Sequence, residues 1–114
     1  MDVERREEPS MLMTTSDTVP GREIAEAVGL VSANAVRARN VGRDILAGLK
    51  NLVGGEIGAY QQLLVESREQ ALADLEAQAE RQGADAIVAL RMATASVAQG
   101  AAEVLVYGTA VKLA

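Results

Sequence analysis

No cysteine and no histidine occur in this sequence. The first absence excludes disulfides, thiolate metal sites and cysteine nucleophiles. The second removes the commonest general base and the commonest transition-metal ligand. Phenylalanine and tryptophan are also missing, and the aromatic inventory is Tyr60 and Tyr107. The core of these 114 residues must then come from Leu, Val, Ile, Ala and Met, and alanine buries little area per residue. A chain built this way gains from burial against partner subunits. No apolar run approaches the ~20 residues that span a bilayer, and the opening MDVERREEPS has no apolar core of the kind a signal peptide carries. No membrane insertion is expected, and the expected location is cytoplasmic. Positive charge is scarce as well. The net charge is −5, so general nucleic-acid binding is not expected, because phosphate neutralisation needs a basic face. A local exception is Arg37, Arg39, Arg43 and Lys50, which share a stretch holding one acid, Asp44. Such a segment suits an anion, a carboxylate of a neighbouring subunit, or solvent.

What is present reads as one α+β domain, residues 11–114, behind an acidic tail. Residues 1–10 are charged and contain Pro9, and disorder is expected there. MLMTT (11–15) suits a short strand with Met11 and Met13 on one side. SDTVPG (16–21) is turn chemistry ending in a Pro-Gly pair. REIAEAVGLVSANAV (22–36) has letters that also suit a helix. Gly29 in its middle and the Val-Ser-Ala-Asn-Ala-Val run favour a long, bulged strand instead. In RDILAGLKNLV (43–53), Ile45, Leu49 and Leu52 share one face of a short helix ended by Gly54-Gly55.

A long helix is expected from Gly58 to Gln82. Its apolar seam is Tyr60, Leu64, Ala71, Leu75 and Ala79, widened by Leu63 and Leu72, with Gly83 as a left-handed cap. Two strands follow at 84–96 and 101–113, joined by a hairpin at 97–101. Val88, Leu90 and Met92 alternate with Ile87, Ala89 and Arg91 in the first; Leu105, Tyr107 and Val111 alternate with Val104, Val106 and Ala110 in the second. Both strands are apolar on both faces, whereas an open antiparallel sheet in a monomer usually keeps one face polar. The expected architecture is therefore an antiparallel sheet with one short and one long helix on one face and another copy of the chain against the other.

Several motifs recur in order. They are TT near the start, PG-x-EI-x-x-x-x-G-x-V at 20–31, RN-x-x-x-DI-x-AG-L-x-N-x-V-GGEI at 39–57, and AY-x-x-LL-x-x-x-R-E-x-A at 59–71. A-x-x-x-GADAIV at 79–88 and YGTAV at 107–111 complete the set. Together they resemble the YbjQ family, small prokaryotic proteins carrying a heavy-metal-binding label. The resemblance covers Met11 to Ala114. It implies an α+β protomer that assembles into a homopentamer, with strands of adjacent subunits contributing to a shared sheet or barrel. It implies no activity and no cofactor.

The polar side chains best suited to a site are Glu56, Tyr60, Glu103 and Tyr107, and each has a structural reading as well. Tyr60 begins the helix seam. Tyr107 fills core or interface volume. Glu56 stands beside the GGEIG corner as a helix cap, and Glu103 can pair with an arginine such as Arg39, Arg68 or Arg91. GGEIG lacks the Gly-Lys-Ser/Thr ending of a phosphate loop. With carboxylates alone to activate a nucleophile, the expectation is a non-enzymatic assembly or binding module. The alternative is metal handling through the thioethers of Met11, Met13 and Met92, or through carboxylates such as Asp44, Glu56, Asp85 and Glu103 repeated around a ring. A hydrolase or lyase built on the carboxylates and tyrosines is the third reading.

Overall fold

A computed structural model describes residues 11–38, 55–98 and 101–114. Among them the elements in chain order are strand β1 (Leu12–Met13), strand β2 (Ile24–Ala38), helix α1 (Gly55–Arg81), strand β3 (Ala86–Ala98) and strand β4 (Ala101–Leu113). The short helix expected at 43–53 lies outside the described residues, as does the tail.

The strands form a four-stranded sheet in the order β1-β3-β4-β2. It is mixed, which corrects the antiparallel expectation. Leu12 pairs with Ala86 and Met13 with Ile87 in parallel. β1 leaves into the connection 14–23 and not into a hairpin, so no turn forces it antiparallel to a neighbour. The residues between β3 and β4 are too few for a crossover, so that pair runs antiparallel. β2 and β4 are antiparallel too, because Glu23 meets Ala114 at one end and Asn34 meets Glu103 at the other.

The chain divides into two compact units, to which α1, β2, β3 and β4 each contribute. The first takes in the residues through Ser32, Leu75–Arg91 and Tyr107–Ala114; the second takes in Ala33–Asp74 and Met92–Val106.

In the first unit, α1 ends as its sequence predicts. Gly83 has φ 77, its N–H reaches the Glu80 carbonyl, and the Ala84 N–H reaches the Ala79 carbonyl at 3.1 Å. These two bonds are a Schellman cap, and the left-handed residue it needs is a glycine. The Pro-Gly pair is equally legible. The Arg22 N–H bonds the Val19 carbonyl at 3.0 Å, and Gly21 at φ 85 completes a type II turn with Pro20 ahead of it.

The turn folds Val19 onto the sheet. Val19 packs with Ala86, Val88 and Val111, flanked by Ile24 and Leu113. On the strands' other side Ile87 and Ala110 are buried, as are Leu75 and Ala79 of α1. This unit therefore has apolar contacts on both sheet faces, one of them supplied by the chain's own 14–23 segment.

A bulge makes that cover possible. Ala89, in the middle of β3, has φ 54. Its N–H bonds the Ser16 carbonyl at 2.8 Å, while the next N–H, of Leu90, bonds the Thr14 carbonyl at 3.0 Å. Successive amides of a regular strand point to opposite edges; a bulge turns both toward one. The alternation expected along Val88, Leu90 and Met92 is broken here for that reason. Gly108 lies against the bulge, where a Cβ would come 2.9 Å from Ile87 Cγ2 and 3.0 Å from the Val88 carbonyl oxygen. Arg91 ties the same segment down by donating to the Thr15 carbonyl at 3.0 Å.

In the second unit the buried positions of α1 are Leu63, Ser67 and Ala71. With Leu75 and Ala79 they form a seam at steps of four. The expected seam holds at Ala71, Leu75 and Ala79 and at Leu63, while Tyr60, Leu64 and Leu72 are half-buried at its margin. Ser67 was not assigned to the seam, yet it is fully buried, and its Oγ has no hydrogen-bond partner among the described residues. The sheet side chains buried in this unit include Ala35, Ala102, Val104 and Val106.

Candidate functional site

The first unit covers its outward face around Val19 but leaves Leu30 at 74% and Tyr107 at 39% exposure open, and the second unit has no such cover among the described residues. On β4, Ala102, Val104 and Val106 are buried while Leu105 between them is 36% exposed. On β2, Ala35 is buried while Val36 is 58% exposed. Met92 begins a run, residues 92–96, in which every side chain is exposed. Past Arg91 no strand flanks the outside edge of β3 among the described residues, because its neighbour β1 ends at Met13. β2 is the other outside strand.

Asn34 lies between these apolar positions, two residues before Val36 on the same face. Its Nδ2 donates to Glu103 Oε2 at 2.8 Å, and Glu103 is two residues before Leu105. The outward surface is thus two large apolar side chains and one hydrogen-bonded polar pair.

The same unit carries an open groove of about 630 Å³ lined by Arg37 of β2 and by Gln62, Val65, Glu66, Glu69, Gln70 and Ala73 of α1. Arg37 Nη1 lies 3.5 Å from Glu66 Oε1, and Gln62 Nε2 donates to Glu66 Oε2 at 3.0 Å. Both charged side chains are well exposed, so the pair adds little stability. The groove is wide, polar and partly neutralised.

Comparison with known proteins places this chain in a family. The family model described as "Putative heavy-metal-binding" and belonging to YbjQ matches residues 11–114. The chain belongs to the YbjQ family. A UPF0145 protein of Vibrio parahaemolyticus is 50% identical over 103 residues, covering 90% of this chain and 98% of the relative. One from Archaeoglobus fulgidus is 52% identical over 106 residues, covering 93% and 98%. A crystal structure of a protein of unknown function from the DUF74 family of Pediococcus pentosaceus superposes with a TM-score of 0.66 over 93% of this chain and 100% of that one, at 19% identity. At that identity the likeness speaks for the fold alone.

Among the described residues the donors do not fit the heavy-metal label of the YbjQ family, and Asp44 lies outside them. Soft ions take thiolate, imidazole or thioether donors, and thioethers are the ones this chain has. Met11 is 5% exposed in the core of the first unit, whereas Met92 of the second is 46% exposed. Buried methionine is ordinary packing in a core without phenylalanine or tryptophan. Among the described residues no three carboxylates converge as cation ligands.

The four candidate polar residues are dispersed in role. Glu56 falls in the first turn of α1, not ahead of it as the cap expectation had it, because the helix begins at Gly55. Tyr60 is half-buried on α1. Glu103 is half-buried and pairs with Asn34, not with an arginine. Tyr107 is 39% exposed. Among the described residues no hydrogen bond joins any two of Tyr60, Glu103 and Tyr107. Sequence reading missed Asn34, Val36 and Leu105 as a group. Their signal was the two-residue period of β2 and β4 taken together, which needs the strand register that a sequence lacks.

Proposed function

We propose that the chain is a non-enzymatic module whose work begins with self-assembly, and that its second unit is the surface through which copies join. The observation that supports this most is the run 92–96, exposed at every side chain and unpaired along one strand edge among the described residues, beside an outward face that carries Val36 and Leu105. Lone sheet edges and apolar faces are aggregation hazards unless something covers them. A copy of the same chain is the simplest cover.

Among the described residues the two free edges, β2 on one side of the sheet and β3 beyond Arg91 on the other, are different surfaces. A head-to-tail contact between different surfaces closes a ring of any number, including the odd number that the family resemblance implies. Five copies are therefore the proposed assembly. No helix among the described residues is long and apolar enough to cross a membrane. Native mass spectrometry and sedimentation at micromolar concentration test the reading. A closed oligomer, with five as the main species, is the expected result; a stable monomer overturns it.

A further inference from the structure

β2 is an outside strand of the sheet and runs for 15 residues. A long edge offers its outward amides and carbonyls to any other strand, and proteins usually blunt such edges with proline, lysine or a bulge. Apart from Gly29, β2 has little of this. It holds no proline and no lysine, and its charges are Glu26 and Arg37. What it has instead is a side chain from the helix. The Ser32 N–H donates to Gln78 Oε1 of α1 at 2.9 Å, and both residues belong to the first unit. Strand alternation gives the direction of that amide. The Glu23 carbonyl takes the Ala114 N–H, so residues an even number of steps beyond Glu23 turn their backbone groups toward β4, and those an odd number of steps beyond turn theirs outside. Ser32 is of the second kind.

We infer that Gln78 is an edge guard. Its side-chain carbonyl takes the place where the backbone carbonyl of an added strand would bond, and so keeps further copies of the chain from extending the sheet along β2 in the first unit. A strand joining there must displace Gln78 or leave the Ser32 N–H to lose water unbonded. Gln78 is half-buried and precedes Ala79, which is fully buried in the helix seam. The packing of α1 therefore holds the guard beside the strand before any other chain arrives. A side-chain amide suits the task, because it accepts a hydrogen bond as a strand carbonyl does but has no backbone to continue a ladder. The inference does not rest on the self-assembly reading. It concerns open-ended growth beyond whatever species the wild type forms.

Wild type, Q78A, Q78E and Q78A/S32P, each checked for folding by circular dichroism, are incubated at equal concentration and followed by thioflavin fluorescence and sedimentable fraction. Hydrogen exchange of the Ser32 amide is read in freshly diluted samples. Q78A is expected to exchange that amide about tenfold faster, on the scale of one hydrogen bond, and to deposit thioflavin-positive material at least about tenfold faster than wild type. Q78E keeps an acceptor for the Ser32 N–H and is expected to match wild type in both. In Q78A/S32P the outward N–H is gone, and proline is tolerated at such an edge position. Deposition is then expected to return to the wild-type rate although Gln78 is missing. Q78A that deposits no faster than wild type overturns the proposal. So does Q78A/S32P that deposits as fast as Q78A, since lost stability and not a bared edge would then be the cause. An unchanged Ser32 exchange rate in Q78A, or Q78E that behaves like Q78A, overturns the hydrogen-bond account. A monomeric wild type overturns the self-assembly reading and leaves this comparison standing.

Discussion

The two units solve the same problem differently. Each contains lengths of β2, β3 and β4 with apolar side chains on alternate faces, and each buries one set. In the first unit part of the opposite set is covered from within, although Leu30 at 74% and Tyr107 at 39% exposure stay open there too. Val19, turned inward by Pro20-Gly21, closes over Ala86, Val88 and Val111, and Val111 is 1% exposed. In the second unit the corresponding outward residues stay open, with Val36 at 58% and Leu105 at 36%. Doubly apolar strands do not by themselves demand a second subunit, because a ten-residue connection is enough to cover one region. What they demand is a cover, and the second unit has none among the described residues.

The sharpest way to break this comparison is to charge the open face. Val36→Asp with Leu105→Asp puts two acids beside Glu103 and removes two apolar contacts of about 1.5 kcal/mol or more each. The concentration at which the chain associates is expected to rise by at least about a hundredfold, measured by sedimentation velocity across a dilution series. The far-ultraviolet dichroism of the protomer is expected to keep its wild-type shape with a lower urea midpoint, since Val36 is 58% exposed but Leu105 only 36%. Association at wild-type concentrations would move the contact surface elsewhere.

A second substitution probes why the first unit can cover itself. The segment 14–16 is held because the bulge at Ala89 aims two successive amides at it, and the bulge fits because residue 108 has no side chain. Gly108→Ala would set a Cβ at 2.9 Å from Ile87 Cγ2 and 3.0 Å from the Val88 oxygen. The carbonyl is backbone and cannot rotate away, so a loss of about 1–3 kcal/mol in protomer stability is expected. Urea denaturation of the charged-face double variant, with and without Gly108→Ala, measures this without interference from assembly. A change under a few tenths of a kcal/mol would show that the bulge is not rigid.

These features were unequally legible in the sequence. Gly83 and Pro20-Gly21 act through local backbone geometry, and the spacing of neighbouring residues was enough to find them. The long β2 was legible because Gly29, at φ 150, interrupts a run whose letters otherwise suit a helix. The helix face was read correctly at Leu63, Ala71, Leu75 and Ala79, and only Ser67 was missed. Ser67 looks polar, so weighting by hydrophobicity passed over it. The parallel pairing of β1 and the role of Val19 depend on contacts across more than sixty residues, and no local period encodes them. Glu103 was singled out correctly as a residue to watch, but its partner Asn34 lies on a strand whose register only the folded chain supplies.

The smallest expected effect separates the units most directly. Val19→Ala and Val36→Ala delete the same two methyl groups from valines on sheet-facing segments, one at 7% exposure and one at 58%. In the first case the lost groups leave apolar neighbours, Ala86, Val88 and Val111, partly uncovered. At ~0.8 kcal/mol per buried methylene-sized group, about 1–2 kcal/mol of protomer stability should go. In the second case the methyl groups already face water, so protomer stability should change by less than about 0.5 kcal/mol. The assembly should respond the other way, weakening with Val36→Ala and holding with Val19→Ala. Paired denaturation and dilution experiments on the two variants therefore give opposite signatures if one face is closed by the chain itself and the other by its copies. Equal losses of protomer stability would mean that Val36 is buried in solution within a single chain.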